Sequence, residues 1–222
     1  MNFVDLLFPK QCLSCNSWGQ YICQSCSENI PTIRFQRCII CQKASLHGFT
    51  HPKCTNRHKP DRLICIYDYR NPFVTKIINT AKLGLVSELF VELTLAAITS
   101  IKASGLLSKM ALCPIPLTKS KKRFRGFNQS LIIAKVFSKN FELPIDAFLM
   151  KSKSTKQQKL LNKGQRQVNL LNSFSILNKE SLPKYVLLID DITTSGATFL
   201  EATKTLKLAG VQTVWCLALA QD

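Results

Sequence analysis

Apolar and polar positions along this chain follow two periods. Residues 62–69, RLICIYDY, are rich in β-branched and aromatic side chains and predict a strand. Residues 71–84 repeat apolar positions at helical spacing through Phe73, Ile77 and Ala81, and 87–103 predict a second helix. A short apolar strand is predicted at 111–117, ALCPIPL, and a helix at 130–141. Residues 184–192, KYVLLIDDI, form the continuous apolar run of a strand buried on both faces of a parallel sheet. The helix predicted at 195–210 puts Phe199, Ala202, Leu206 and Ala209 on one face, with Glu201 and Lys204 opposite, and Gly210 ends it. A final strand is predicted at 211–220. Strands alternating with helices predict an α/β fold around a mainly parallel sheet with flanking helices. Two stretches lack periodicity: 118–130, TKSKKRFRGFNQS, reads as a basic loop, and 151–169 as a long polar loop.

The first 54 residues break this pattern, because seven of the ten cysteines lie there. Three pairs have CxxC spacing, which sets two thiolates on one side of a tight turn; two such turns complete a tetrahedral zinc site. Cys12, Cys15, Cys23 and Cys26 form one full set. Cys38, Cys41 and Cys54 form a second that needs a fourth ligand; His51 has the right spacing, with His47 and His58 as weaker candidates. Four protein ligands leave no open position for a reacting water, so the expected role is structural, supplying folding energy to a segment too short and polar for its own core. The expected organisation is a zinc-ribbon module at 1–58 and an α/β domain at 59–222. Cys65, Cys113 and Cys216 sit in apolar runs and read as core residues.

Composition narrows the function. A hydrophobic content of 46% in 222 residues excludes a disordered chain. The formal charge of +17 raises the local concentration of anions, whether nucleotides, phosphorylated sugars or nucleic acid, and fits a solubilising lysine surface equally well. No apolar run reaches the ~20 residues of a membrane span, and the start lacks a signal-peptide pattern. The expected location is therefore cytoplasmic, with thiols reduced or metal-bound.

One stretch joins two like charges to a turn: VLLIDDITTSGAT, 186–198. It reads as a central strand's carboxyl end, a tight turn and a helix start, which is where open α/β sheets bind ligands. Hydroxyls, free backbone N–H groups and Gly196 suit a phosphate, and the two carboxylates suit sugar hydroxyls and a magnesium ion.

This stretch resembles the phosphoribosyl-pyrophosphate (PRPP) motif of type I phosphoribosyltransferases. Nearly the whole chain is similar to the ComF family, which joins a zinc ribbon to a phosphoribosyltransferase-like domain. The similarity includes CPIPLTKSKKRFRGFNQS, IINTAKLG, and the pattern Thr155, Gln158, Leu161, Arg166, Asn169 and Phe174. The resemblance implies that Asp190 and Asp191 hold ribose hydroxyls. It implies that Thr193, Thr194, Ser195, Gly196, Ala197 and Thr198 wrap the 5-phosphate. Arg125 and Gly126 would face the pyrophosphate, and Arg166 would reach in from a lid. His51 stands where relatives usually carry cysteine, and Thr193 where a tyrosine is common.

Three functions stay open. One is a PRPP- and magnesium-dependent transferase with an unidentified acceptor. Another, favoured by the family, is a protein of natural transformation that uses PRPP, binds single-stranded DNA and works with DNA-uptake or recombination proteins. The last is a PRPP sensor without catalysis. The run KSKKRFRGF, with Phe124 and Phe127 among basic residues, fits a DNA contact or a pyrophosphate loop equally.

Overall fold

The computed structural model describes residues 9–102, 109–151, 173–178 and 182–222. Four strands build a wholly parallel sheet: β1 (Arg62–Asp68), β2 (Ala111–Pro114), β5 (Tyr185–Thr193) and β6 (Thr213–Gln221). Their spatial order is β1-β6-β5-β2, with Ile189 beside Leu217 on one side and Pro114 on the other. The apolar run that predicted a doubly buried strand is thus a central one, and Val186 to Ile189 are fully buried.

Period-two alternation splits the core between the sheet's faces. Ile64, Ile66, Leu187, Ile189, Leu217 and Leu219 pack against α2 (Pro72–Leu83), α3 (Glu88–Lys102) and α5 (Gln129–Phe141). Leu63, Cys65, Cys113, Leu188 and Cys216 face the other way, toward Phe199, Ala202 and Leu206 of α6 (Ala197–Leu208). All three sheet cysteines are buried, as their apolar setting predicted. Asn71 caps α2 by accepting from the amides of Phe73 and Val74, and Pro72 sits at the first helical position, where its missing N–H costs nothing.

Some expectations are corrected. The basic stretch forms a short helix, α4 (Lys119–Arg125). Thr118 caps its start by accepting from Lys121 N, and Gly126 ends it at φ 72°. It buries no residue, so it left no apolar period to read. The strand predicted at 111–117 keeps strand register with β5 only over Ala111–Pro114, and its last backbone bond to β5 is from Ile115 N to Ile189 O at 2.9 Å. Leu149–Lys151 (β3) pairs antiparallel with Phe174–Ile176 (β4), although the sequence put Lys151 in a loop. Most of the predicted 151–169 loop, Arg166 included, lies outside the described residues, as do Thr155, Gln158, Leu161 and Asn169. Glu201, expected on the polar face of α6, is buried.

The cysteine-rich segment, which includes the short helix α1 (Gln24–Glu28), covers the exposed edge of β1. Ile33 N donates to Ile66 O at 2.7 Å, and the Gln36 side-chain amide both accepts from Cys65 N and donates to Cys65 O, each at 2.9 Å. Gly48, at φ 81°, lies so close that a Cβ would run into the Leu63 carbonyl. Arg62 is buried between the rings of Phe49 and Trp215, at 4.6 and 4.8 Å, and its Nε donates to His47 O at 2.7 Å. Among the described residues, no helix is long and apolar enough to cross a membrane.

Candidate functional site

Sheet hydrogen bonding carries β5 outward until its burial relaxes at Asp190 and Asp191. Asp190 Oδ1 accepts from Ser130 Oγ at 3.0 Å and from Asp191 N at 2.9 Å. Ser130 is delivered by the start of α5, where Asn128 caps the helix by accepting from Ser130 N. Asp191 Oδ1 accepts from Ile192 N at 2.9 Å, and Asp191 Oδ2 pairs with Lys82 Nζ at 2.6 Å, both side chains largely buried. The strand's end therefore holds both carboxylates in fixed directions, with a cation already on one of them.

Cations from two further elements face this pair. Lys121 of α4 and Lys151 of β3 both feel the Asp190 charge. Lost hydration lowers the Lys121 ammonium's pKa although the residue as a whole is exposed; Arg125 lowers it further, while Asp190 opposes both. Lost hydration also lowers Lys151, with Lys121 adding to the effect. Arg125, at the end of α4, meets buried Gln129: with its amide oxygen turned toward the guanidinium, Gln129 accepts from Nε at 3.3 Å and Nη1 at 2.5 Å. Gly126 follows as the left-handed cap, with open space beside it. Burial, then the Asp191 charge, raises the Asp190 carboxyl to about 7. Lys82, Lys151 and Ser130 had no site role in the sequence reading. Only the helix-ending lysine near a glycine in IINTAKLG pointed to Lys82.

The turn after β5 is built for close approach. Thr193 is buried and its carbonyl accepts from Asp222 N at 3.0 Å, so it ends the sheet. Thr194 is exposed, and Ser195 is partly so. Gly196 takes φ 72°, ψ 2° as the cap of α6, and no side chain caps the helix amides. Ala197 and Thr198 open the first turn. This leaves backbone N–H groups at the positive end of a helix dipole, with no acidic residue in its first turn. A cleft of about 500 Å³ opens beside Thr194 and Ser195, walled by Phe35, Arg37, Ile40 and Gln42 of the cysteine-rich segment and by Gln221 and Asp222.

Both cysteine sets come together. Cys12, Cys15, Cys23 and Cys26 form one cluster, and Cys38, Cys41, His51 and Cys54 the other; in each, one ligand atom per residue lies within 4.8 Å of the rest. These donor sets fit zinc. His51, not His47 or His58, completes the second set; its Nδ1 is 3.3 Å from Cys41 Sγ and its Nε2 is 3.1 Å from Ala44 O. Burial opposes ionisation of Cys38, but the amides of Cys41, His51 and Ile40 outweigh it and bring the thiol to about 7. Ser17, 3.2 Å from Cys15, helps bring that thiol to about 6.

Together these features define an α/β protein with a parallel sheet, helices on both faces and two potential metal clusters in front. No family model matches the chain. It is 27% identical to Competence protein F of Haemophilus influenzae over 237 residues, covering 99% of this chain and 100% of the relative. It is also 27% identical over 221 residues to the DNA utilization protein YhgH of Shigella flexneri and of Escherichia coli O157:H7, covering 92% of each chain. These near-full-length matches, by the names of the relatives, support the resemblance to the ComF family.

Proposed function

We propose that this protein serves DNA uptake or utilization, and that it binds PRPP with magnesium at the carboxyl end of β5. The names of its relatives support the DNA role. The observation that carries the ligand reading is the pairing of Asp190 and Asp191 with an uncapped helix start immediately after them. The carboxylates would accept from a ribose diol, and the turn 194–198 would donate to its 5-phosphate. Lys82, Lys121 and Lys151 would neutralise the pyrophosphate. Asp190 and Asp191 would help hold magnesium, which prefers phosphate oxygens with one or two carboxylates and would supply further positive charge to the pyrophosphate.

The cationic surroundings also favour a transfer reaction as a second reading. There the bond from ribose C1′ to the pyrophosphate oxygen breaks, a bond from C1′ to an acceptor forms, and the lysines stabilise the departing charge. We propose Arg125 and Gly126 at the pyrophosphate side and Arg166 as a lid residue, roles taken from the family pattern. We also propose the division into a zinc module at 1–58 and a ligand domain at 59–222.

Titration calorimetry with Mg²⁺-PRPP tests the ligand. Replacing Asp190 and Asp191 by Asn together removes charged hydrogen bonds of about 1.5–3 kcal/mol each, so affinity should fall at least tenfold. Unchanged affinity would place the ligand elsewhere, and a parent protein that does not bind would remove the reading altogether.

A further inference from the structure

Gly196 is held from outside its own turn. A Cβ built on it would stand 2.9 Å from Ile39 Cγ1 and 3.2 Å from Cδ1, so the isoleucine already fills the space beside the glycine. Ile39 is fully buried, within the core cluster that also holds Leu63, Phe199 and Ala218. It lies in the CIIC turn, between Cys38 and Cys41 of the second cluster. Further links tie the same turn to the sheet end: Gln42 Nε2 donates to Ile39 O at 3.0 Å, and Gln221 Nε2 to Gln42 Oε1 at 3.4 Å.

We infer that Ile39 is a positioning residue for the phosphate turn, and that metal occupancy of the Cys38, Cys41, His51 and Cys54 cluster sets how firmly that turn is held. The inference rests on reading 194–198 as a phosphate site. Its physical basis is entropic. Glycine is the residue with most backbone freedom, and Gly196 must stay in the left-handed region for the helix amides to converge. Gly196 has no side chain of its own to pack, so the neighbouring isoleucine supplies the constraint. An anion site whose donors are fixed beforehand loses less entropy on binding. A metal that rigidifies the CIIC turn therefore strengthens anion binding. By linkage, the anion strengthens metal retention by the same factor. The first cluster has no such contact with the turn among the described residues.

Hydrogen exchange and calorimetry on the full-length, zinc-loaded protein test this. The variants are Ile39→Ala, Ile39→Val and Cys54→Ser. Ile39→Ala should keep the parent's zinc content yet exchange faster at 193–199. It should bind Mg²⁺-PRPP roughly tenfold more weakly and Mg²⁺-pyrophosphate, which lacks the 5-phosphate, as the parent does. Ile39→Val should recover most of the affinity. Cys54→Ser should reproduce the faster exchange at 193–199, and adding Ile39→Ala to it should change little there. Unaltered exchange at the turn in Ile39→Ala, or acceleration spread evenly over the sheet, overturns the positioning role. A turn that stays at parent exchange in Cys54→Ser overturns the metal linkage. If the exchange changes occur but the parent binds no PRPP, the positioning stands and the phosphoribosyl reading falls.

Discussion

Asp190 and Asp191 stand next to each other and behave differently. Asp191 has a cation at 2.6 Å. Asp190 is raised to about 7, by burial first and by its neighbour's charge second. A carboxyl raised in this way keeps its proton in the folded chain at pH values where the unfolded chain has lost it. Its contribution to stability is full below about pH 4, the unfolded value, and is lost as pH rises through about 7. Asp190→Asn should remove this slope and keep an oxygen that can accept from Ser130 Oγ. The difference in melting temperature between pH 5 and pH 8 should therefore shrink, by about 2–4 °C for each kcal/mol recovered. Thermal scans of both proteins across that range measure it, and superimposable profiles would assign the titration to another group. The adjacent like charges of the sequence thus have a structural account: one is paired with Lys82, and the other is raised toward neutrality by burial and by its neighbour's charge.

At the scale of elements, legibility followed burial. β5 and α6 were readable because each has an apolar face that must be hidden, and α2 also announced its start with Asn71 and Pro72. α4 was not, since its seven residues bury nothing and only Thr118 and Gly126 mark its ends. The pair β3 and β4 was hidden because each strand is three residues long and the two are far apart in sequence. The charged partners of the aspartates were hidden for the same reason. Lys82 and Lys151 are distant lysines among thirty basic residues, and only the fold brings them together. The helical form of α4 also divides the basic run. Lys121 faces Asp190, whereas Lys122, Arg123 and Phe124 are exposed, Phe124 by 72%. If the outer face of α4 contacts single-stranded DNA, Lys122→Ala with Arg123→Ala should make the log–log salt slope shallower by about 1.4, at about 0.7 per phosphate. Lys121→Ala should weaken PRPP binding more than DNA binding. Fluorescence anisotropy with an unstructured oligonucleotide at several salt concentrations gives the slope, and an unchanged slope moves the DNA contact off α4.

Across the whole molecule, the two cysteine clusters dock on the α/β core in different ways, and this separates their effects on stability. The first meets α2 and α3 through polar contacts, with Lys76 Nζ donating to Leu13 O at 2.5 Å and Ile22 N to Glu92 Oε2 at 2.6 Å, and through Ile22 and Ile30, which are buried in the core beside those helices. Among the described residues it takes no part in covering the β1 edge. The second closes the free edge of β1 and wedges Arg62 between two rings. An uncovered parallel edge exposes a row of unpaired backbone groups, which invites association with another chain. Elemental analysis of untagged protein should find two zinc ions per chain, as expected of two complete four-ligand sets. Cys12→Ser should lose one ion and leave the main melting transition nearly in place. Cys38→Ser should also lose one, but it should lower that transition and raise light scattering on heating, because the β1 edge opens. Zinc below half an equivalent in the parent would remove the metal assignment. Equal melting of the two variants would mean that the metal at the second cluster does not hold the edge cover, and that the hydrogen bonds of Ile33 and Gln36 with the ring stack on Arg62 suffice without it.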